Sequence, residues 1–370
     1  MRTIVLKILF FTGSRSEYGI IRPLLMVLDK VDSIHYKLIV TGSHLLEKFG
    51  NTIESIKKDN LSGEIIQFAS FEENSSPGLT EFNTVSENIS KICENEKPHY
   101  VFITGDRIEA YACAIGAHFS KTTIIHYGGG NISKGSWDDI YRYNISNLAK
   151  YHFVTNEVAS QNLKQVPSLL DKNEIYNIGS FSVDYLLDFK VKNDNPLYSN
   201  SFALMTFHPS QKLDENIAEI MEQTIDYLLS RKMSIVITYP NTDPGFEKIV
   251  SVINKQNDSN VTIHKNLGSD QFYSHLKQAK LIIGNSSSSF VEAPYFGNPI
   301  LNIGKRQDGR ISDKIISHCD LNIESIKAWI DQQISCNFEK KNCEQLFGKG
   351  KSISLAVDLL NRLSNECKHR

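Results

Sequence analysis

Short apolar runs that end in Gly, Ser, Thr or Asp alternate with longer amphipathic stretches along the chain. "TIVLKILFFTG", "YKLIVTG", "YVFITGD", "TTIIHYGG" and "YHFVTN" are rich in β-branched and aromatic residues and read as strands. Between them, "IIRPLLMVLDKV" and "IYRYNISNLAKY" space their apolar residues as helices do. A second series begins near residue 200 with "FALMTFHPS", "SIVITYPN", "VTIHKNL", "AKLIIGNSS" and "PILNIG", separated by helical segments such as "ENIAEIMEQTIDYLLSRK". Such alternation predicts parallel sheets covered on both faces by right-handed crossovers.

The polar, turn-rich stretch "DFKVKNDNPLYSNS" divides the two series and predicts a linker. The expected fold is α/β, with two doubly wound Rossmann-like domains over residues 1–185 and 200–350 and an inter-domain cleft. A terminal helix over 351–370 is expected to pack on one of the sheets. Open sheets of this kind bind ligands outside the carboxyl ends of their strands, where the polar motifs of this sequence fall.

A length of 370 residues favours two domains over one core. A formal net charge of −2 argues against nucleic acid or an anionic membrane as partner, so an anionic ligand needs a local site. Six cysteines without CxxC pairs argue against zinc ribbons and disulfide frameworks, and fit reduced thiols in a cytoplasm. The N-terminal run lacks a small-residue cleavage site, and no apolar stretch reaches the roughly 18 residues of a spanning helix.

Several strand ends carry groups with chemistry. "LIIGNSSSSFVEAPYFGNP" offers helix-start N–H groups and the Ser286 and Ser287 hydroxyls to a diphosphate, with Glu292 about two turns into the expected helix. Simple helix capping is the plainer explanation. "TGSRSEYG" places Arg15 where a guanidinium can meet a phosphate, and "FITGDRIEA" brings Asp106 and Arg107 out of a buried strand. A carboxylate there can serve as base, or merely cap the next helix. "MTFHPS" sets His208 at an equivalent point, able to exchange a proton near neutral pH. "ITYPNTDPG" adds Asn241 and Asp243, and "GKRQDGR" adds Arg306 and Arg310, unless the latter is only a solvated loop.

Taken in order, "TGSRSEYG", "GDRIEA", "HYGGGN", "WDDIYRYNISNLAKYHFVTNE", "IGSFSVD", "TFHP", "YPNTDPG", "GNSSSSFVEAP" and "GKRQDGR" resemble the hydrolysing UDP-N-acetylglucosamine 2-epimerases of sialic-acid and related nonulosonic-acid synthesis. The resemblance spans nearly the whole chain. It implies a glycosyltransferase-B-like fold that holds UDP mainly through its C-terminal domain, a homodimer, and no metal or redox cofactor. The implied reaction removes the C2 proton with anti elimination of UDP to give a 2-acetamidoglucal. Water then adds at C1 and C2 is reprotonated from the other face, which gives N-acetylmannosamine or a 2,4-diacetamido analogue. The resemblance assigns acid and base work to Asp106, Asp139 and His208. It assigns ligand binding to Arg15, Ser286, Ser287, Glu292 and Arg310; Arg107, Asn131 and Asn241, polar groups at strand ends, are further candidates for substrate or UDP binding.

One loop departs from the family pattern. Where relatives read His-x-Glu-Gly-Gly-Glu or His-x-His-Gly-Gly-Glu, this chain runs His126, Tyr127, Gly128, Gly129, Gly130, Asn131, and Tyr143 stands where a histidine is usual. Gly128 has no functional group and an amide is no base. Losing one positioned base commonly costs about 10²- to 10⁴-fold. Asp139 acting as base, a bulkier sugar filling the space at Gly128, or binding without epimerisation are all compatible with this loop. A glycosyltransferase of the same fold, or a catalytically silent UDP-sugar binder, is the alternative function.

Overall fold

A computed structural model of the chain describes residues 5–47, 51–70, 78–135, 138–169, 174–188, 200–210, 216–241 and 245–367. Most of the expected linker, residues 189–199, and Asp243 lie outside the described residues. Two compact units emerge, one of Met1–Asn131, Asp138–Tyr185 and Phe347–Arg370, the other of Ile132–Trp137 and Leu186–Leu346.

Among the described residues, the first unit holds a sheet of seven parallel strands: β1 (Leu6–Thr12), β2 (Ile34–Val40), β3 (Glu64–Gln67), β4 (Tyr100–Thr104), β5 (Thr123–Tyr127), β6 (Tyr151–Val154) and β7 (Glu174–Asn177). Their order is β3-β2-β1-β4-β5-β6-β7. Side chains alternate across a strand, so β1 sends Ile8 and Phe10 to one face and Leu9 and Phe11 to the other, and both faces are buried. Helix Arg15–Leu28 covers the first face with Ile21, Leu24 and Leu25, joined by Ala356, Leu360 and Leu363 of the terminal helix Ser352–Cys367. Val85 and Ile89 of helix Leu79–Glu96 and the small residues of helix Ile108–Phe119 cover the second.

The second unit has a sheet of six parallel strands among its described residues: β8 (Phe202–Thr206), β9 (Ser234–Thr238), β10 (Val261–His264), β11 (Leu281–Gly284), β12 (Ile300–Ile303) and β13 (Ile316–Cys319), in the order β10-β9-β8-β11-β12-β13. Its core joins Met205, Ile237, Ile283 and Leu301 to Met221 and Ile225 of helix Ile217–Ser230 and to Ile326 and Ile330 of helix Ile323–Ser335.

The contacts divide the chain after Tyr185, and they also assign two segments that a linear division leaves on the other side. Residues 132–137 join the second unit, where the Lys134 N–H donates to the Asp308 carbonyl at 2.9 Å. The chain from Phe347 onward joins the first. There the Ser180 N–H donates to the Phe347 carbonyl at 2.8 Å, and Asp184 accepts the Ile353 N–H at 2.8 Å.

Candidate active site

In the first sheet, connections reverse direction between β1 and β4, which leaves the turns after β1, β4 and β5 side by side. Such a switch point opens a crevice at the strands' carboxyl edge. Asp106 and Arg107 leave β4 there, Gly128 to Asn131 leave β5, and Arg15 opens the helix after β1 with an exposed side chain.

Asp106 is joined to Asp139 by a residue between them. Arg142, on helix Asp138–Leu148, is 1% exposed. Its Nε donates to Asp106 Oδ2 at 3.0 Å, its Nη2 to the same oxygen, and its Nη1 to Asp139 Oδ1 and, at 2.9 Å, to the Asn131 carbonyl. Burial pulls the guanidinium toward neutrality, but the facing aspartates outweigh it and raise its pKa. The Asp106 and Asp139 side chains remain 27% and 24% exposed, so the cation lies beneath two carboxylates that are open to solvent. The three groups together carry one net negative charge. One carboxylate can therefore take a proton while the other keeps the guanidinium paired, which avoids the several kcal/mol that an unpaired buried cation costs.

The three glycines differ in what surrounds them. A Cβ at Gly129 would stand 2.7 Å from Ser146 Oγ and 3.0 Å from His126 Nδ1, and one at Gly130 would stand 2.1 Å from the Ala159 carbonyl oxygen. Packing forbids side chains at both. At Gly128, with φ at +88°, a Cβ would meet nothing within 4 Å. Asn131 spends its amide on the loop itself: Nδ2 donates to the Gly128 carbonyl at 3.1 Å and to Thr155 Oγ1 at 3.3 Å, while Oδ1 accepts from Asn156 at 3.0 Å. Tyr143 packs against the small apolar cluster of Val154, Ala159, Leu163 and Leu169.

Behind this edge lie buried acids. Glu17 accepts the N–H groups of Gly13 at 2.7 Å and Ser14 at 3.1 Å. Burial, reinforced by Glu109, pushes its pKa up to about 8. Glu109 is 1% exposed and sits 3.4 Å from Arg107 Nε. Among the described residues, no group of three or more His, Cys, Asp or Glu side chains is placed to hold a metal ion.

In the second sheet the order β9-β8-β11-β12 aligns the turns that carry Asn241, His208, Ser286 with Ser287, and Arg310. Asn285 Oδ1 accepts the His208 N–H at 2.7 Å, and Asn285 Nδ2 donates to the His208 carbonyl at 2.9 Å. His208 Nδ1 accepts the Asn241 N–H at 2.9 Å, so in the neutral ring Nε2 carries the proton. The Asn285 carbonyl accepts from Gln307 Nε2 at 2.9 Å and Arg306 Nη1 at 3.3 Å, and Gln307 Oε1 accepts from Arg310 Nε at 2.8 Å. Arg306 is thus buried rather than part of a solvated loop.

Ser286 is buried, with its Oγ 3.0 Å from Ser288 Oγ, and Ser287 is exposed. The helix expected after them is cut short. A single turn, Ser288–Val291, gives way to a 3₁₀ turn, Ala293–Phe296, and Glu292 stands at their junction instead of two turns along one helix. Pro294 is the cause: it has no N–H to continue the helix and disfavours helical geometry in the residue before it.

Arg142, Glu17, Glu109, Asn285 and Gln307 were not singled out by sequence reasoning. The Ser14-x-x-Glu17 spacing of a capping box was the available signal for Glu17; Asn285 and Gln307 had only proximity to a strand end, and Arg142 and Glu109, inside helices, had none.

Residues 27–361 match the family described as UDP-N-acetylglucosamine 2-epimerase. The chain is 30% identical over 350 residues to a UDP-N-acetylglucosamine 2-epimerase of Neisseria meningitidis, covering 93% of this chain and 91% of that protein. It is 29% identical over 376 residues to a UDP-N,N'-diacetylbacillosamine 2-epimerase (hydrolyzing) of Legionella pneumophila, covering 96% and 98%. In fold it is similar to Methanocaldococcus jannaschii UDP-GlcNAc 2-epimerase, solved in complex with UDP-GlcNAc and UDP, with a TM-score of 0.79 at 21% identity and coverage of 96% and 100%.

Proposed function

The chain belongs to the UDP-N-acetylglucosamine 2-epimerase family, and from that premise we propose that it is a hydrolysing 2-epimerase of a UDP-linked 2-acetamido sugar. The observation that carries the reading is the convergence of Asp106 and Asp139 on the buried Arg142 guanidinium. One of the two carboxylates takes the C2 proton as the C1–O bond to UDP breaks, giving a 2-acetamidoglucal and UDP. Water then adds at C1 and a proton returns to C2 from the opposite face. The sum is UDP-sugar plus water to UDP plus the free 2-epimer.

In this scheme the first unit supplies proton chemistry, with Arg15 and Arg107 for the anionic substrate and Asn131 shaping the loop. The second unit supplies Asn241, Ser286, Ser287, Glu292 and Arg310 for the nucleotide. His208, fixed with its Nε2–H outward from Asn241, donates to the departing diphosphate. The base that Gly128 cannot provide is replaced by the aspartate pair, and the open space beside Gly128, where a Cβ would meet nothing within 4 Å, supports a sugar with a further acetamido group as substrate.

The test is to incubate the protein, without any acceptor, with UDP-N-acetylglucosamine and with its 2,4-diacetamido counterpart, following UDP by ³¹P NMR and the sugar by ¹H NMR. Release of UDP with a free 2-epimer supports the reading. Release only when an acceptor is added indicates a transferase, and binding of UDP-sugar without release indicates a silent binder.

A further inference from the structure

We infer that His126 is a positioning residue that sets Asp106 against the Asp139–Arg142 pair by bridging the two elements that carry them. Its Nε2 stands 2.9 Å from the carbonyl oxygen of Gly105, the residue that precedes Asp106. Its Nδ1 stands 2.9 Å from Oγ of Ser146, on the same helix as Asp139 and Arg142. One imidazole thus ties the turn after β4 to helix Asp138–Leu148.

The hydrogen-bond pattern permits one neutral tautomer. A carbonyl can only accept, so Nε2 carries the hydrogen, and Nδ1 accepts from the Ser146 hydroxyl. Burial lowers the His126 pKa to about 4, which keeps the ring neutral at physiological pH. His126 is fully buried and touches no solvent, so its action is through the backbone it holds.

The neighbouring glycine fits the same purpose. A Cβ at Gly129 would run into both members of the bridge, Ser146 Oγ and His126 Nδ1. The Gly105 turn has one further tie to β5, the Gly105 N–H donating to the Tyr127 carbonyl at 3.1 Å. Loss of the imidazole removes one of the bonds that locate the turn carrying Asp106. A displacement of about 1 Å at a reacting group can cost about 10²-fold in rate.

The activity readout rests on the proposed function, so the experiment also reads the bridge without substrate. In ¹⁵N-histidine-labelled protein at neutral pH, His126 should give the Nε2–H neutral signature. In Ser146→Ala, the ring loses its tie to helix Asp138–Leu148 while the Gly105 carbonyl still holds the Nε2–H tautomer, and the Arg142 Nε–H signal should exchange with water at least about tenfold faster. The same variant should lose about tenfold or more in kcat with KM and UDP affinity within about twofold of the parent. His126→Gln, which keeps a donor and an acceptor, should retain more activity than His126→Ala. If His126→Ala does not fold, Ser146→Ala decides.

An Nδ1–H or cationic ring at neutral pH would overturn the inference. So would Ser146→Ala with unchanged Arg142 exchange and unchanged kcat. If the parent turns over no UDP-sugar, the proposed function fails, and the tautomer and the Arg142 exchange still test the bridge.

Discussion

Asn285 holds His208 by both of its backbone polar groups, accepting the N–H at 2.7 Å and donating to the carbonyl at 2.9 Å. Two strands that are neighbours in the sheet but far apart in sequence, β8 and β11, are thereby locked at their ends. Asn285→Ala removes both bonds and leaves two partly buried backbone groups to find other partners, at about 1–3 kcal/mol each. We expect a roughly 10- to 10²-fold fall in kcat with the fold retained. Steady-state turnover measures it, and an Asn285→Ala enzyme with the parent's kcat would show that His208 needs no such clamp.

The glycine loop should tolerate substitution unequally. Gly130→Ala drives a methyl to 2.1 Å from a backbone oxygen at a φ of +77°, whereas Gly128→Ala meets open space and bears only the strain of a φ of +88°. The first should cost more than about 2 kcal/mol and the second about 1–2 kcal/mol. Urea unfolding of the two variants compares them directly. Equal losses would mean that the loop rearranges and that its glycines share a single cause.

Two sets of buried groups should make stability depend on pH in opposite senses. Glu17 and Glu81 are raised by burial from 4.5 to about 8. The folded state therefore holds protons that the unfolded chain releases, and this contribution is lost as pH rises from about 4.5 to about 8. His152 is lowered by burial from 6.5 to about 3 and His126 to about 4, so their contribution is present above 6.5 and lost as pH falls through those values. Glu17→Gln keeps an acceptor for the Gly13 and Ser14 N–H groups and should flatten the alkaline fall in melting temperature. His152→Leu should flatten the acid fall, since neither ring nitrogen makes a hydrogen bond. Melting curves from pH 4 to 9 check both, and parallel profiles for parent and variants would contradict the assignment.

Most strands visible in the sequence, such as β1, β4 and β8, have side chains buried on both faces and so form continuous apolar runs; the part-buried edge strand β10 was legible too, through Val261 and Ile263. The strands β3, β7 and β13 were not legible. They are four-residue edge strands, half exposed and carrying Glu64, Glu174 and His318, so neither length nor apolar content marks them. The site shows the same division. Asp106 and His208 announce themselves as polar groups straight after buried strands. Arg142, Glu17 and Glu109 lie in amphipathic segments where a charged residue normally faces water, and only packing reveals them as buried. Asn131 reads as a ligand contact in sequence, and in the structure its amide also ties the turn after β5 to Thr155 and Asn156 after β6.

The central claim is that Asp106 and Asp139, held on Arg142, do the proton chemistry for which Gly128 has no side chain. The most direct measurement is solvent deuterium at C2 when UDP-N-acetylglucosamine or its 2,4-diacetamido counterpart is turned over in D₂O. The parent should release a free sugar labelled at C2, and Asp106→Asn and Asp139→Asn should each lower the rate of labelling by about 10²-fold or more. A product with an unlabelled C2, or full labelling in both variants, would contradict the account.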